Sequence, residues 1–73
     1  SMEKTRIIVA GHHFSFSPFT LYDSSYYFAE TATLKFKMAL VDGELKLINP
    51  DELPEWLIEL EERLSDAIFL RNK

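Results

Sequence analysis

Cysteine is absent from the 73-residue sequence, which excludes disulfide bonds, thiolate metal sites and cysteine nucleophiles. Only two histidines are present, His12 and His13, too few for a zinc site built from histidine alone. Neighbouring strand residues point to opposite faces, so the two rings are not expected to share one metal. We therefore expect no metal and no cofactor, and a fold that apolar packing stabilises.

Glycine and proline are scarce, with two and three residues, and long hydrophobic runs are missing. Because 47% of the residues are hydrophobic and 14% are aromatic, the composition favours a folded chain over a disordered one. No apolar run approaches the roughly 20 residues that a membrane helix needs, and the N-terminus lacks the layout of a signal peptide. We interpret Ser1, before Met2, as the remnant of a removed tag. We expect a single cytoplasmic domain over residues 1–73.

Positive charge is sparse in the C-terminal part of the chain, which accounts for the whole net charge of −4. Residues 1–48 contain five basic and five acidic side chains, whereas residues 49–73 contain three basic and seven acidic ones. This balance argues against binding to DNA, RNA or anionic lipid through bulk electrostatics. Nucleic acids and membranes are therefore not the expected partners.

Alternating apolar and β-branched residues predict three to four strands in the first two thirds of the chain. They cover about residues 4–10, 12–17, 26–41 and 44–48. Pro18 is expected to stop the second strand, because proline cannot donate a hydrogen bond to a β-ladder. The segment from Tyr26 to Glu30 is interpreted as strand, with a short turn of helix as the alternative.

The pair Asp42-Gly43 predicts a hairpin, because both residues suit the positive φ of a two-residue type I′ turn. A hairpin closed there pairs Leu40 with Leu45 and Met38 with Leu47, so that the apolar residues of the two strands meet on one face. A shift of one residue would turn these side chains to the opposite face. The register is therefore well specified.

The last third of the chain predicts one amphipathic helix over about residues 51–70. Asn49 is a candidate N-cap, and the acidic residues that follow it suit the start of a helix. An apolar stripe with helical spacing is expected to cover the sheet. It consists of Leu53, Trp56, Leu57, Leu60, Leu64, Ala67 and Ile68. The predicted fold class is α+β: a small antiparallel β-sheet packed against one C-terminal α-helix.

Two features of this helix are not needed to cover the sheet. The first is an acidic ridge opposite the stripe, formed by Glu55, Glu59, Glu62 and Asp66. The ridge docks a basic partner, imitates a phosphate backbone, or is an ordinary solvated face. The second is the pair Ile58 and Phe69, whose spacing of eleven residues places them on one helix face beside the ridge. An exposed pair indicates a protein-contact surface, and the alternative is that a loop or strand covers it.

Aromatic residues and lysines provide two further candidate surfaces. The aromatic residues are Phe14, Phe16, Phe19, Tyr22, Tyr26, Tyr27 and Phe28. We interpret them as core, with an interface or a stacking platform for single-stranded nucleic acid as alternatives. Lys35, Lys37 and Lys46 share the outer face of the predicted hairpin. They could contact nucleic acid, yet lysines more commonly protect exposed strands from edge pairing.

No motif in the sequence indicates catalysis, because a Gly-rich phosphate loop, a metal-binding helix motif and a recognisable nucleophile motif are all missing. An enzyme is therefore not expected. The expected function is protein binding, as a small adaptor, inhibitor or antitoxin-like module that could also form a homodimer. Two alternatives stay open: a nucleic-acid-binding protein that uses the lysines, and a purely structural oligomer subunit.

Overall fold

A computed structural model describes residues 3–71 of the chain. Five antiparallel strands form one sheet in chain order: β1 (Thr5–Val9), β2 (His12–Leu21), β3 (Ser24–Glu30), β4 (Lys35–Val41) and β5 (Glu44–Leu47). A 3₁₀ turn (Pro50–Glu52) and two α-helices, α1 (Glu55–Ile58) and α2 (Glu61–Arg71), follow. The sheet curls into a half-barrel and packs against the C-terminal helix. The predicted α+β class is confirmed, although the sheet has five strands rather than three to four.

Three of the four strand connections are two-residue turns in which both residues have positive φ. They are Ala10-Gly11, Tyr22-Asp23 and Asp42-Gly43. Positive φ at both positions characterises the type I′ turn, whose twist matches that of the flanking strands. The predicted register of the last hairpin is confirmed, since Leu40 lies opposite Leu45 and Met38 lies opposite Leu47.

The prediction of one strand over residues 26–41 is wrong, because this segment contains two strands, β3 and β4. A turn over residues 31–34 separates them. Thr31 Oγ1 accepts hydrogen bonds from the backbone N–H groups of Thr33 (3.3 Å) and Leu34 (3.1 Å). Such side-chain bonds compete with the β-ladder. The alternation of polar and apolar residues continues through the turn, so periodicity does not reveal it.

Strand β2 continues to Leu21, whereas the sequence predicts its end before Pro18. β1 pairs with β2 only as far as Phe16, so beyond that residue no strand within residues 3–71 lies on this side of β2. A proline beside such an open edge removes no ladder hydrogen bond. The segment from Tyr26 to Glu30 is strand, as predicted, and it pairs with this longer β2 as part of β3.

The predicted continuous helix over residues 51–70 is interrupted twice. Leu53 has an extended backbone (φ −113°, ψ 154°), because the proline after it disfavours the helical conformation. Between α1 and α2, the N–H of Leu60 donates to the carbonyl of Leu57 at 2.9 Å, which is the tighter bonding of a 3₁₀ turn. Asn49 precedes the first 3₁₀ turn, but its side chain makes no capping hydrogen bond.

The predicted helical stripe packs onto the inner face of the sheet. Its buried members are Leu57, Leu60, Leu64 and Ile68, and Leu53, Trp56 and Ala67 are half-buried against the same core. The sheet contributes Ile7, Val9, Phe14, Phe16, Ala29, Phe36, Met38, Leu45 and Leu47. Phe36 meets two rings edge-on, at centroid distances of 6.2 Å from Phe14 and 6.3 Å from Phe16. Aromatic pairs of this kind add about 0.5–1.5 kcal/mol each beyond the burial of their area.

Helix α2 also closes one edge of the sheet. Ser65 Oγ accepts a hydrogen bond from the N–H of Leu45 at 3.0 Å, and Glu61 Oε2 accepts one from the N–H of Leu47 at 2.8 Å. Glu61 and Ser65 are four residues apart, which is a rise of about 6.0 Å along the helix. Leu45 and Leu47 are two residues apart, which is about 6.8 Å along the strand, so each helix residue lies beside its strand partner. The edge of β5 is thereby protected from pairing with another strand.

Candidate binding surfaces

One end of the molecule carries most of the large exposed apolar side chains within residues 3–71. These are Leu21 (53% exposed), Tyr22 (93%), Leu40 (41%) and Val41 (46%). They flank the turns of the hairpins β2–β3 and β4–β5, which lie side by side because β3 pairs with β4. Together with Phe69 of α2 we call these residues the apolar end. Grouped exposed apolar residues indicate a contact surface, whereas isolated ones do not.

A groove of about 390 Å³ connects Phe69 to the apolar end. Its walls include Pro18, Tyr27 and Leu40. The ring of Tyr27 packs edge-on against the buried Phe16 at a centroid distance of 6.0 Å, which anchors this wall to the core. Because the remaining walls are half-buried or exposed, the groove offers apolar surface that the fold leaves uncovered.

The structure assigns Ile58 and Phe69 to different helices, α1 and α2. The break between these helices removes the uninterrupted spacing that placed the pair on one face. Both side chains are half-buried and pack against the core cluster. Phe69 also borders the groove of the apolar end, whereas Ile58 does not line it. The sequence predicted no contact role for Leu40 or Val41. The alternation places Leu40 on the inner face, but it does not show where the helix stops covering that face.

All four residues of the acidic ridge are exposed. Glu55 belongs to α1, Glu59 lies in the turn after it, and Glu62 and Asp66 belong to α2. The ridge therefore does not follow one straight helix. Glu62 and Asp66 lie on the side of α2 that faces the end of β5, where they border a small hollow together with Lys46. This half of the ridge is the part closest in sequence to Phe69.

The three predicted lysines lie on the outer face of the sheet, but their electrostatic surroundings differ. Lys46 Nζ lies 3.1 Å from a carboxylate oxygen of Glu44. The hydrogen bond and the charge of Glu44 raise the pKa of Lys46, and the charges of Glu61 and Glu62 act in the same direction. Lys35 and Lys37 form no ion pair with a residue of the described chain. Only these two lysines of the set are available to an anionic ligand.

The predicted aromatic cluster is divided between the two faces of the sheet. Phe14 and Phe16 are buried in the core, as predicted, and Tyr27 packs against it. Phe19, Tyr26 and Phe28 belong to the opposite, outer face, because they alternate with the inner residues along β2 and β3. Phe28 is 39% exposed. The outer face thus contains aromatic rings, of which Phe28 is exposed while Phe19 and Tyr26 are half-buried.

These outer rings and the lysines are cross-strand neighbours. Phe28 of β3 lies opposite Lys37 of β4. Phe19 and Tyr26 lie opposite each other and stack, with ring centroids 5.2 Å apart and planes 18° apart. Lys35 lies opposite Glu30, whose carboxylate is 3.7 Å from the ammonium group of Lys4. We call Phe19, Tyr26, Phe28, Lys35 and Lys37 the outer patch.

The two histidines point to different surroundings. The His12 ring stacks on Trp56, with centroids 4.2 Å apart and planes 14° apart. His13 borders a second surface groove, of about 580 Å³, with Arg6, Ile8 and Glu30. Among the described residues, no three histidine or acidic side chains come together in a way that could hold a metal ion.

Within residues 3–71, neither helix is both long and apolar enough to cross a membrane. Comparisons of the chain with protein-family models, with curated proteins and with solved structures gave no match. Its function is therefore inferred from the surfaces described above.

Proposed function

We propose that the chain is a small, non-enzymatic protein-binding module of the cytoplasm and that the apolar end is its contact surface. The observation that carries this proposal is the conformation of Tyr22. Its φ of 51° lies in the left-handed region, and its side chain is 93% exposed. An L-residue in this region loses roughly 1–2 kcal/mol relative to a right-handed conformation.

Tyr22 gains little inside the fold to offset this cost, because most of its ring faces solvent. Backbone strain of this kind is common at sites that bind other molecules. Tyrosine is also enriched at the energetic centres of protein interfaces, where it combines apolar area with a hydroxyl group. The exposed Leu21 and Val41 extend the apolar area beside it. These features support a role for Tyr22 as an anchor that a partner buries.

Acidic residues surround the apolar end and indicate the chemistry of the partner. Asp23 and Asp42 occupy the two turns, and Asp66 lies three residues before Phe69 on α2. Complementary charge increases association rates and disfavours wrong partners. We therefore propose a partner that inserts apolar side chains and presents lysine or arginine residues around them. In this proposal Glu62 and Asp66 of the acidic ridge contribute, while Glu55, Glu59 and Ile58 lie outside the contact.

The proposal can be tested by affinity capture with the wild-type chain and with Tyr22→Ser. Each protein is immobilised through its N-terminus, incubated with an extract of the source cells, and the retained proteins are quantified by mass spectrometry. Removal of a tyrosine anchor typically lowers affinity by about 2 kcal/mol, which is roughly thirtyfold. We expect one or more proteins to be retained by the wild type and lost with Tyr22→Ser.

A matched pair of variants controls for general loss of apolar surface. Val41 and Ile8 are both exposed β-branched strand residues, but only Val41 belongs to the apolar end. Val41→Ser should reduce retention of the same proteins, and Ile8→Ser should not. Equal retention by all variants would refute the proposal. If sedimentation shows that the wild type dimerises and Tyr22→Ser does not, the partner is a second copy of the chain.

A further inference from the structure

We propose that the outer patch binds single-stranded nucleic acid, with bases stacking on Phe28 and Tyr26 and phosphates contacting Lys35 and Lys37. This surface adjoins the apolar end, because Phe19 and Tyr26 also line the groove that contains Phe69. Proteins that bind single strands without strong sequence preference combine stacking rings with a positively charged track. The outer patch places both features on neighbouring strands, because Phe28 lies opposite Lys37.

The spacing of the rings suits unstacked bases. Tyr26 and Phe28 are two residues apart on β3 and therefore about 6.8 Å apart along the strand. Stacked bases in one nucleic-acid strand are separated by about 3.4 Å. Neighbouring bases must consequently separate from each other to occupy both rings, which a flexible single strand can do and a duplex cannot. The ring of Phe19 supports Tyr26 from β2 at a centroid distance of 5.2 Å.

The net charge of −4 is distributed unevenly over the molecule, and the outer patch does not carry the acidic excess. The exposed carboxylates of the acidic ridge belong to the helical segment, which packs on the inner face of the sheet. On the outer face, Glu30 lies within 3.7 Å of Lys4 and Glu44 lies within 3.1 Å of Lys46. Lys35 and Lys37 form no ion pair with another residue of the described part of the chain. The average charge of the sequence does not show this local arrangement.

The test is fluorescence anisotropy with labelled oligo(U) and oligo(dT) and with a duplex of the same length, over a range of salt concentrations. Two lysine–phosphate contacts predict that log K falls with log salt at a slope of about −1.4, since each contact to a single strand contributes about −0.7. Lys37→Gln should halve this slope. Arg63→Gln removes one positive charge from the exposed side of α2 and should leave the slope unchanged.

The stacking contribution is tested at Phe28 with two variants. Phe28→Leu keeps an apolar side chain but removes the ring, and it should weaken binding at least about fivefold. Phe28→Tyr keeps the ring and should retain binding. Thermal unfolding of every variant verifies that the fold persists.

Three outcomes would overturn this inference. The first is no binding of either single strand at low salt. The second is equal affinity for the duplex, which excludes base stacking. The third is equal binding by Phe28→Leu and wild type, or by Lys37→Gln and Arg63→Gln. Dimerisation that Lys37→Gln abolishes would instead assign the outer patch to the acidic ridge of a second copy.

Discussion

The hairpins β4–β5 and β2–β3 close with the same kind of turn but differ in how the rest of the fold supports them. Asp42-Gly43 has the residues that a type I′ turn prefers. Behind it, Ser65 and Glu61 of α2 bind the free backbone edge of β5. The turn Tyr22-Asp23 has neither the preferred residues nor this support. It contains no glycine, and its first residue, Tyr22, is almost fully exposed.

This difference distinguishes a turn whose residues stabilise the fold, Asp42-Gly43, from a turn whose first residue does not. The β4–β5 hairpin is consistent at every level, from turn residues to register to the hydrogen bonds with α2. The β2–β3 hairpin contains an unfavourable turn residue, Tyr22, which is 93% exposed. Local disagreement between sequence and structure is expected at functional sites, so the weaker hairpin is the better candidate for a binding role.

The largest expected effect is at the edge of β5. Ser65→Ala removes the acceptor of the Leu45 N–H and leaves a buried donor unsatisfied, at a cost of about 1–3 kcal/mol. Alanine returns about 0.5 kcal/mol through its higher helix propensity. Urea unfolding should therefore show a clear loss of stability. Ser24→Ala in the other hairpin, where the serine is exposed, should change stability by less than about 0.5 kcal/mol. Equal effects would invalidate the comparison.

The second effect concerns the preferred turn. Gly43 has a φ of 82°, and a Cβ added there would meet no atom within 4 Å. Gly43→Ala should therefore cost only the conformational energy of an L-residue in the left-handed region, about 1–2 kcal/mol. The reverse change in the other turn, Asp23→Gly, should stabilise the protein. Urea unfolding of both variants measures these shifts, and a destabilised Asp23→Gly would contradict the assignment of strain to this turn.

The smallest effect concerns the ion pair of the β4–β5 hairpin. Glu44 raises the pKa of Lys46 above its usual 10.5, so the folded state holds this proton more tightly than the unfolded state. The resulting stabilisation is complete below pH 10.5 and is lost as the pH rises through the folded pKa. Because Lys46 is exposed, the change should be small. Thermal unfolding of wild type and Glu44→Gln across this range should differ in slope, and identical slopes would exclude the pair as a contributor.

The sequence allowed good prediction where a local preference and the long-range pattern agree. The Asp42-Gly43 turn and the alternation around Leu40 and Met38 determined the register of the last hairpin. The spacing from Leu57 to Ile68 identified the face of the helical segment that covers the sheet. In both cases the residues suit the local backbone conformation and also place their apolar side chains in the core.

Prediction failed where side-chain hydrogen bonds or tertiary position decide the structure. The turn at Thr31 is closed by hydrogen bonds to its hydroxyl group and by the backbone bond from Thr31 N–H to Leu34, which the polar–apolar alternation does not reveal. The Tyr22-Asp23 turn lacks a glycine that would mark its exact position and type. The pairing of Ile58 with Phe69 assumed one unbroken helix. The apolar end depends on where α2 stops covering the sheet, and no local pattern carries that information.

The most direct test of the proposed binding role is to measure the stability and the partner retention of Tyr22→Asn in the same preparation. Asparagine tolerates the left-handed region, so we predict that urea unfolding will show a gain of about 1 kcal/mol. We predict that retention of the captured protein will fall, because the aromatic anchor is lost. A stability that decreases would mean that Tyr22 supports the fold. Retention equal to that of the wild type would show that Tyr22 does not anchor a partner, and would contradict the central claim.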